Sequence, residues 1–141
     1  MTKVLIIEAR YYTEINDMLL KGARKALDEA GVEHETLTVP GALEIPAAMK
    51  FADIAKGYDA YVVLGCVIRG ETTHYDIVCN ESARGVYDLV MSKNLAVGNG
   101  ILTVESDEQA LARADITRKN KGGEAARAAL RMLAIKRKCG I

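Results

Sequence analysis

Apolar and polar residues follow two patterns along this chain. Four short apolar runs, several of them rich in β-branched residues, predict buried β-strands at residues 3–9, 33–39, 60–68 and 95–105. Elsewhere apolar residues recur every three or four positions, which indicates helices with one buried face. Five such stretches predict helices at residues 15–30, 44–57, 76–92, 106–114 and 122–138.

Residues at the ends of these stretches support the predicted helix boundaries. Gly31 and Gly57 follow the first two helices, where glycine commonly ends a helix. Pro46 is compatible only with the first turn of the second helix. Thr13 and Ser106 precede apolar helical patterns, and we expect them to act as N-caps.

Strands that alternate with helices predict a parallel sheet, because parallel strands need a crossover connection. We therefore expect an α/β fold, a three-layer α/β/α sandwich with a four-stranded parallel, flavodoxin-like sheet, in a single domain over residues 1–141. Ligands of such sheets bind beyond the carboxyl ends of the strands. The segments to inspect for chemistry are residues 8–13, 40–45, 66–76 and 104–107.

Composition excludes several classes of function. The chain has 141 residues, with 19 Lys and Arg against 19 Asp and Glu, so no basic excess supports nucleic-acid binding. No apolar run approaches the ~20 residues of a membrane helix, and residues 1–10 are better explained as a strand than as a signal peptide. The spacing of Cys66, Cys79 and Cys139 matches no metal site, so we expect free thiols in a reducing cytoplasm.

The segment after the third strand has the strongest chemical signal. Gly70 gives the backbone freedom, and the amides of Glu71, Thr72 and Thr73 precede a helix, an arrangement that suits a phosphate or another anion. His74 follows directly, and a neutral imidazole can transfer protons near pH 7. A lone histidine is usually structural or merely exposed, but its place at the ligand-binding end of a parallel sheet favours a functional role.

Three further positions have both an ordinary and a functional explanation. One of the two tyrosines, Tyr11 and Tyr12, stacks on a flat ligand, or both are half-buried aromatic residues. Glu44 either favours the positive pole of a helix or holds a polar ligand. Arg113 either reaches a phosphate or belongs to a solvated basic surface.

Four motifs together resemble the lumazine synthase family of riboflavin biosynthesis: "ARYY", "VPGALEIP", "GCVIRGETTHYDIVCNES" and "NKGGEAA", in this order. The resemblance covers nearly the whole chain. It implies an enzyme that condenses 5-amino-6-(ribitylamino)uracil with 3,4-dihydroxy-2-butanone 4-phosphate. An imine forms, phosphate leaves, and ring closure with loss of water gives 6,7-dimethyl-8-ribityllumazine, with no cofactor and no metal.

The resemblance also implies roles for individual residues. His74 corresponds to the family's proton-transfer histidine, and Arg113 to the arginine that holds the substrate phosphate with the amides around Glu71 and Thr72. Lys121 falls near the phosphate end of the site. The positions that correspond to contacts with the pyrimidine ring or the ribityl chain are Tyr11, Ala42, Leu43, Glu44, Val67, Ile68 and Asn99.

Several positions depart from the family pattern. Tyr11 replaces a phenylalanine or tryptophan, Leu43 a bulky aromatic residue, and Thr73 a proline. Asn99 stands where many members have a phenylalanine that reaches the ring from a neighbouring subunit. These changes leave open a ligand-binding paralogue without useful turnover, and the sheet alone is also compatible with a signalling or electron-transfer module. Neither the acidic pair of a receiver domain nor a flavodoxin-type phosphate loop follows strand one.

The family resemblance further implies a homo-oligomer with its sites between the subunits of a pentamer. Shell-forming members resemble one another in a glycine-containing loop before the last helix. Asp115 and Lys119 occupy the corresponding positions here. We therefore expect a pentamer or a pair of pentamers, with a shell of about sixty subunits as the alternative arrangement of such closed assemblies.

Overall fold

The computed structural model describes residues 1–55 and 57–141, and within them it forms four strands and five α-helices. The strands are β1 (Lys3–Ala9), β2 (Glu33–Val39), β3 (Ala60–Ile68) and β4 (Val97–Val104). The helices are α1 (Thr13–Glu29), α2 (Ile45–Ala55), α3 (His74–Lys93), α4 (Asp107–Ala114) and α5 (Lys121–Lys138). A short 3₁₀ turn, Ala42–Glu44, precedes α2 and was not predicted.

All strand pairs are parallel, in the order β2-β1-β3-β4. Alternate side chains of β1 point to opposite faces of the sheet. Val4 and Ile6 pack with α1, α4 and α5, whereas Leu5 and Ile7 pack with α2 and α3. The predicted three-layer α/β/α, flavodoxin-like fold is therefore confirmed.

Glycines allow α5 to approach its neighbours closely. A Cβ atom at Gly98 of β4 would lie 1.7 Å from the carbonyl oxygen of Ala125. A Cβ atom at Gly122 would lie 2.1 Å from the carbonyl oxygen of Leu19 in α1. Backbone therefore packs against backbone at both contacts, which explains why glycine occurs within a strand and near the start of a helix.

Most of the predicted boundaries hold, with one clear error. Ser106 caps α4, since its Oγ accepts a hydrogen bond from the Gln109 amide at 3.3 Å. The prediction for Thr13 was wrong: it is the first residue of α1, and Tyr12 occupies the N-cap position without a side-chain cap. Helix α1 begins two residues before Ile15, its first buried apolar residue, so the apolar periodicity alone did not locate this start.

Both glycines that were predicted to end helices adopt a left-handed backbone conformation, Gly31 with φ +69° and Gly57 with φ +64°. The predicted second helix, residues 44–57, includes Lys56, which lies outside the described residues. Helix α3 starts at His74, two residues earlier than expected. In the part of the chain that the structure describes, no helix has the length and apolarity to cross a bilayer.

The strand order fixes where a ligand site can form. Strand β2 lies on one side of β1 and β3 lies on the other side, so the connection from β2 to β3 passes across β1. Helical connections therefore leave a crevice at the carboxyl ends of β1 and β3, the topological switch point of this sheet.

Candidate active site

A cavity of about 340 Å³ opens at the carboxyl ends of the strands. This volume lies in the range of small-molecule sites. Segments that follow β1, β2 and β3 line it: Ala9, Tyr11, Tyr12, residues 41–44 and 66–68, Gly70, Thr72, His74, Tyr75 and Val78. Three of the four strand-end segments selected from the sequence therefore meet around one hollow, and residues 104–107 do not line it.

The loop after β1 presents two aromatic rings to the cavity. The rings of Tyr11 and Tyr12 contact each other edge to face, with centroids 4.9 Å apart. Tyr12 is half-buried against the core, and this burial is the main reason that its pKa is raised. Tyr11 is 74% exposed, so its ring has a free face for a flat ligand.

The turn after β2 forms a second wall. Glu44 donates its backbone N–H to the Gly41 carbonyl at 3.1 Å, which closes the 3₁₀ turn. Ala42 is buried beneath this turn, while Leu43 and Glu44 are exposed. An apolar side chain and a carboxylate thus face the same hollow, as a ligand with a ring and hydroxyl groups requires.

The turn between β3 and α3 is held by Arg69. Its Nε donates to Glu105 Oε1 at 2.7 Å, and its Nη1 lies 3.6 Å from Asp76 Oδ1. The guanidinium carbon lies 4.3 Å from the centroid of the Tyr75 ring. These contacts connect the ends of β3 and β4 to the first turn of α3, where Tyr75 lines the cavity.

His74 is the first residue of α3 and is exposed at the cavity. Its backbone N–H donates to Thr72 Oγ1 at 3.3 Å, so the Thr72 side chain occupies one donor at the start of the helix. The backbone of Gly70 is not in the left-handed region, so this position does not need the conformational freedom of glycine. The Asp76 and Ile77 amides donate to the Thr73 carbonyl at 3.0 and 3.3 Å, so an anion at this helix N-terminus would be favoured mainly by the helix dipole.

Four residues selected from the sequence are absent from the cavity lining. Arg113 donates from Nη1 to the Gln109 carbonyl at 3.1 Å, within α4. Asn99 lies on the edge strand β4, and its Oδ1 accepts a hydrogen bond from the Ile101 amide at 2.9 Å. Lys121 Nζ lies 3.2 Å from Glu124, and Glu71 is exposed beside the cavity. Within the described residues, one chain brings together Tyr11, Ala42, Leu43, Glu44, Val67, Ile68, Thr72 and His74.

Cys66, Tyr75 and Val78 also line the cavity but were not named as site residues from the sequence, although the first two lie in the selected segment 66–76. Tyr75 directly follows His74, and its aromatic character was the one available signal. Cys66 lies at the end of β3, and burial, with a smaller contribution from Asp107, raises the pKa of its thiol to about 12. Among residues 1–55 and 57–141, no three His, Cys, Asp or Glu side chains gather as a metal site would require.

Comparison with known proteins gives one consistent result. The family model for 6,7-dimethyl-8-ribityllumazine synthase matches residues 1–137. The protein of that description from Sphingopyxis alaskensis is 64% identical over 141 residues, which cover 100% of this chain and 99% of the relative. The relative from Zymomonas mobilis is 59% identical over 138 residues, which cover 98% and 99%. The relative from Paramagnetospirillum magneticum is 55% identical over 149 aligned positions, which cover 100% and 99%.

Proposed function

The chain belongs to the 6,7-dimethyl-8-ribityllumazine synthase family, and we propose that the cavity at the carboxyl ends of β1 and β3 is its active site. The enzyme condenses 5-amino-6-(ribitylamino)uracil with 3,4-dihydroxy-2-butanone 4-phosphate in riboflavin biosynthesis and releases phosphate and water. The observation that supports this location is the meeting of Tyr11, Glu44 and His74, from three separate segments, around one hollow.

The pyrimidine substrate fits the part of the cavity between Tyr11 and the end of β3. Its ring stacks on the free face of Tyr11, and the backbone of Val67 and Ile68 contacts its polar edge. Ala42 and Leu43 line the opposite wall, and Glu44 accepts hydrogen bonds from ribityl hydroxyl groups. Holding two small molecules in reacting geometry contributes up to ~7–11 kcal/mol in favourable cases.

His74 transfers protons in this proposal. The amine must lose a proton as the imine forms, and the oxygen that leaves as water must gain one. An exposed imidazole at the cavity wall is placed to do both, and such a shuttle typically contributes about 10²- to 10⁴-fold in rate. Enclosure of His74 by a second subunit then excludes bulk water from the reacting groups.

The phosphate end of the site is completed by a second chain. Thr72 and the turn at residues 70–73, next to the positive pole of α3, give one side of an anion site. Arg113 and Lys121 do not line the cavity of their own chain, and we propose that a neighbour supplies them, together with Asn99 at the ring. Glu71 contributes its backbone amide at this end. Guanidinium and ammonium groups suit a phosphate because they form charge-assisted hydrogen bonds with it.

A homo-oligomer is supported by apolar side chains on the α2–α3 layer. Phe51 and Ile54 of α2 are 67% and 72% exposed, and Met91 of α3 is 80% exposed. Contiguous exposed apolar side chains are typical of subunit contacts, and we infer that these three belong to such a contact. We propose a pentamer or a pair of pentamers rather than a shell, because Asp115 and Lys119 replace loop glycines of shell-forming members.

A cytoplasmic location is proposed as well. Cys66, Cys79 and Cys139 are all free thiols, the state expected in a reducing compartment.

The proposed reaction is tested by mixing the protein with both substrates and following lumazine absorbance. The same mixture without protein gives the spontaneous rate. We expect a rate well above that background and proportional to protein concentration. Ligand binding without acceleration would instead favour a binding paralogue. The departures from the family pattern at Leu43 and Asn99 are the reason to consider this alternative. Analytical ultracentrifugation measures the assembly, and a particle of about sixty subunits would contradict the pentamer proposal.

A further inference from the structure

A buried ion pair lies directly behind the loop that presents Tyr11. Glu8 of β1 is only 3% exposed, which is unusual for an acidic side chain. Arg10 donates from Nε to both oxygens of this carboxylate, at 3.1 and 3.2 Å. The Thr38 hydroxyl of β2 donates to Glu8 Oε2 at 2.7 Å. The carboxylate is therefore well satisfied, as a buried charge must be.

The same arginine connects the strand to the following helix. Arg10 Nη1 lies 2.8 Å from Asp17 Oδ1 in α1. The neighbouring backbone is held too, because Asn16 is fully buried and its Nδ2 donates to the Ala9 carbonyl at 2.8 Å. The short loop between β1 and α1 thus has contacts with both elements that it joins.

The orientation of Arg10 differs from that of its neighbours. Ala9, Tyr11 and Tyr12 line the cavity, whereas Arg10 turns away from it to meet Glu8 and Asp17. An apolar residue would be expected at the position of Glu8, because Val4 and Ile6 on the same face of β1 are buried and apolar. A buried ion pair is weak evidence for stability as such, but it favours one conformation over others.

We propose that Glu8 and Arg10 are positioning residues for the pyrimidine substrate. Their ion pair fixes the loop at residues 9–12, so that the Tyr11 ring stands at the cavity before the substrate binds. An aromatic side chain that is already oriented loses less conformational entropy when a flat ring stacks on it. This inference rests on the proposed function, since it assigns a role in binding one of the two substrates.

The test uses steady-state kinetics of the full-length protein with both substrates. Glu8→Gln keeps the shape but removes the charge that holds Arg10. We expect the KM for the ribitylaminouracil to rise about three- to ten-fold, because the loop must now be ordered on binding. We expect kcat and the KM for the butanone phosphate to change less than about two-fold.

Arg24→Gln is the matched control. Like Arg10, Arg24 joins α1 to a strand: its Nη2 donates to Thr36 Oγ1 of β2 at 3.0 Å. Arg24 does not line the cavity. Its loss should leave both KM values within about two-fold of the parent. Should Glu8→Gln not fold, Arg10→Lys retains the charge without the guanidinium geometry and should produce the same selective rise in KM.

A double-mutant cycle separates positioning from a general structural role. In a Tyr11→Ala background the loop no longer presents a ring, so Glu8→Gln should add less than about a two-fold change in KM. An undiminished effect in that background, an equal rise in both KM values, or unchanged kinetics would overturn the positioning role while lumazine formation by the parent stands. A parent without lumazine formation would overturn the proposed function and this role together.

Discussion

The guanidinium of Arg69 covers the ring of Tyr75, with its central carbon 4.3 Å from the ring centroid. Arg69 follows the last residue of β3, and Tyr75 is the second residue of α3. Because His74 lies between them in sequence and Tyr75 lines the cavity, this contact fixes how the first turn of α3 faces the cavity.

Removing this contact should loosen the turn that carries His74. We expect Arg69→Ala to lower the free energy of unfolding only slightly, because an exposed cation–π contact and exposed ion pairs each contribute little. The KM for the phosphate substrate should rise several-fold. Urea unfolding and steady-state kinetics measure the two effects. Arg84→Ala removes exposed ion pairs with Glu81 and Asp88 but no ring contact, so equal effects of both variants on KM would contradict this prediction.

His74→Ala should slow turnover by about 10²- to 10⁴-fold and still leave activity above the spontaneous rate. The residual activity is expected because proximity and orientation of the two substrates do not depend on the imidazole. Single-turnover measurements with saturating substrates test this directly. A variant that is as fast as the parent would exclude His74 from proton transfer.

Arg113→Ala should mainly weaken binding of the phosphate substrate. Oligomers that are refolded from equal amounts of Arg113→Ala chains and His74→Ala chains then test whether two chains share a site. If, as proposed, each site takes His74 from one chain and Arg113 from the next, about one quarter of the sites in a ring of randomly mixed subunits have both residues intact. The mixed oligomer should therefore have about a quarter of the parent activity after co-refolding. If both residues served the site of their own chain, the mixture would be no more active than the average of the two variants.

The thiol of Cys66 should be alkylated very slowly near neutral pH. Burial raises its pKa to about 12, so at pH 8 only about one molecule in 10⁴ has the reactive thiolate. Cys139 is exposed, and we expect it to react first. Mass spectrometry of iodoacetamide-treated peptides measures both rates, and the Cys66 rate should rise about ten-fold per pH unit as thiolate forms. Comparable rates for Cys66 and Cys139 at pH 8 would contradict the burial of this thiol.

Two glycine-to-alanine variants should differ in their effect on stability. Gly98→Ala places a methyl group against the backbone of Ala125, so we expect a loss of about 1–3 kcal/mol or more in the free energy of unfolding. Gly70→Ala meets nothing within 4 Å and does not require a left-handed backbone, so it should be neutral or stabilising by up to about 1 kcal/mol. Urea denaturation distinguishes the two. If both variants were destabilised equally, the close contact between β4 and α5 would not be the reason for glycine at position 98.

Local pattern in the sequence was sufficient for the secondary structure, the sheet type and the edge of the sheet at which to look for a site. Apolar periodicity and end signals such as Ser106 and Gly31 depend on neighbours a few residues away, so they are visible without a structure. The same locality explains the error at Thr13, because a hydroxyl before a helical pattern does not reveal which residue takes the first helical φ and ψ.

Only the tertiary structure decided which of the selected residues meet. Strand order brings the segments after β1, β2 and β3 around one cavity, and it leaves Asn99, Arg113 and Lys121 outside that cavity. The burial of Glu8 beside Arg10 and Thr38 was likewise invisible in the sequence, where a glutamate at a strand end is unremarkable. Distances between residues that are far apart in sequence depend on how whole elements pack, and no local pattern of side chains encodes them.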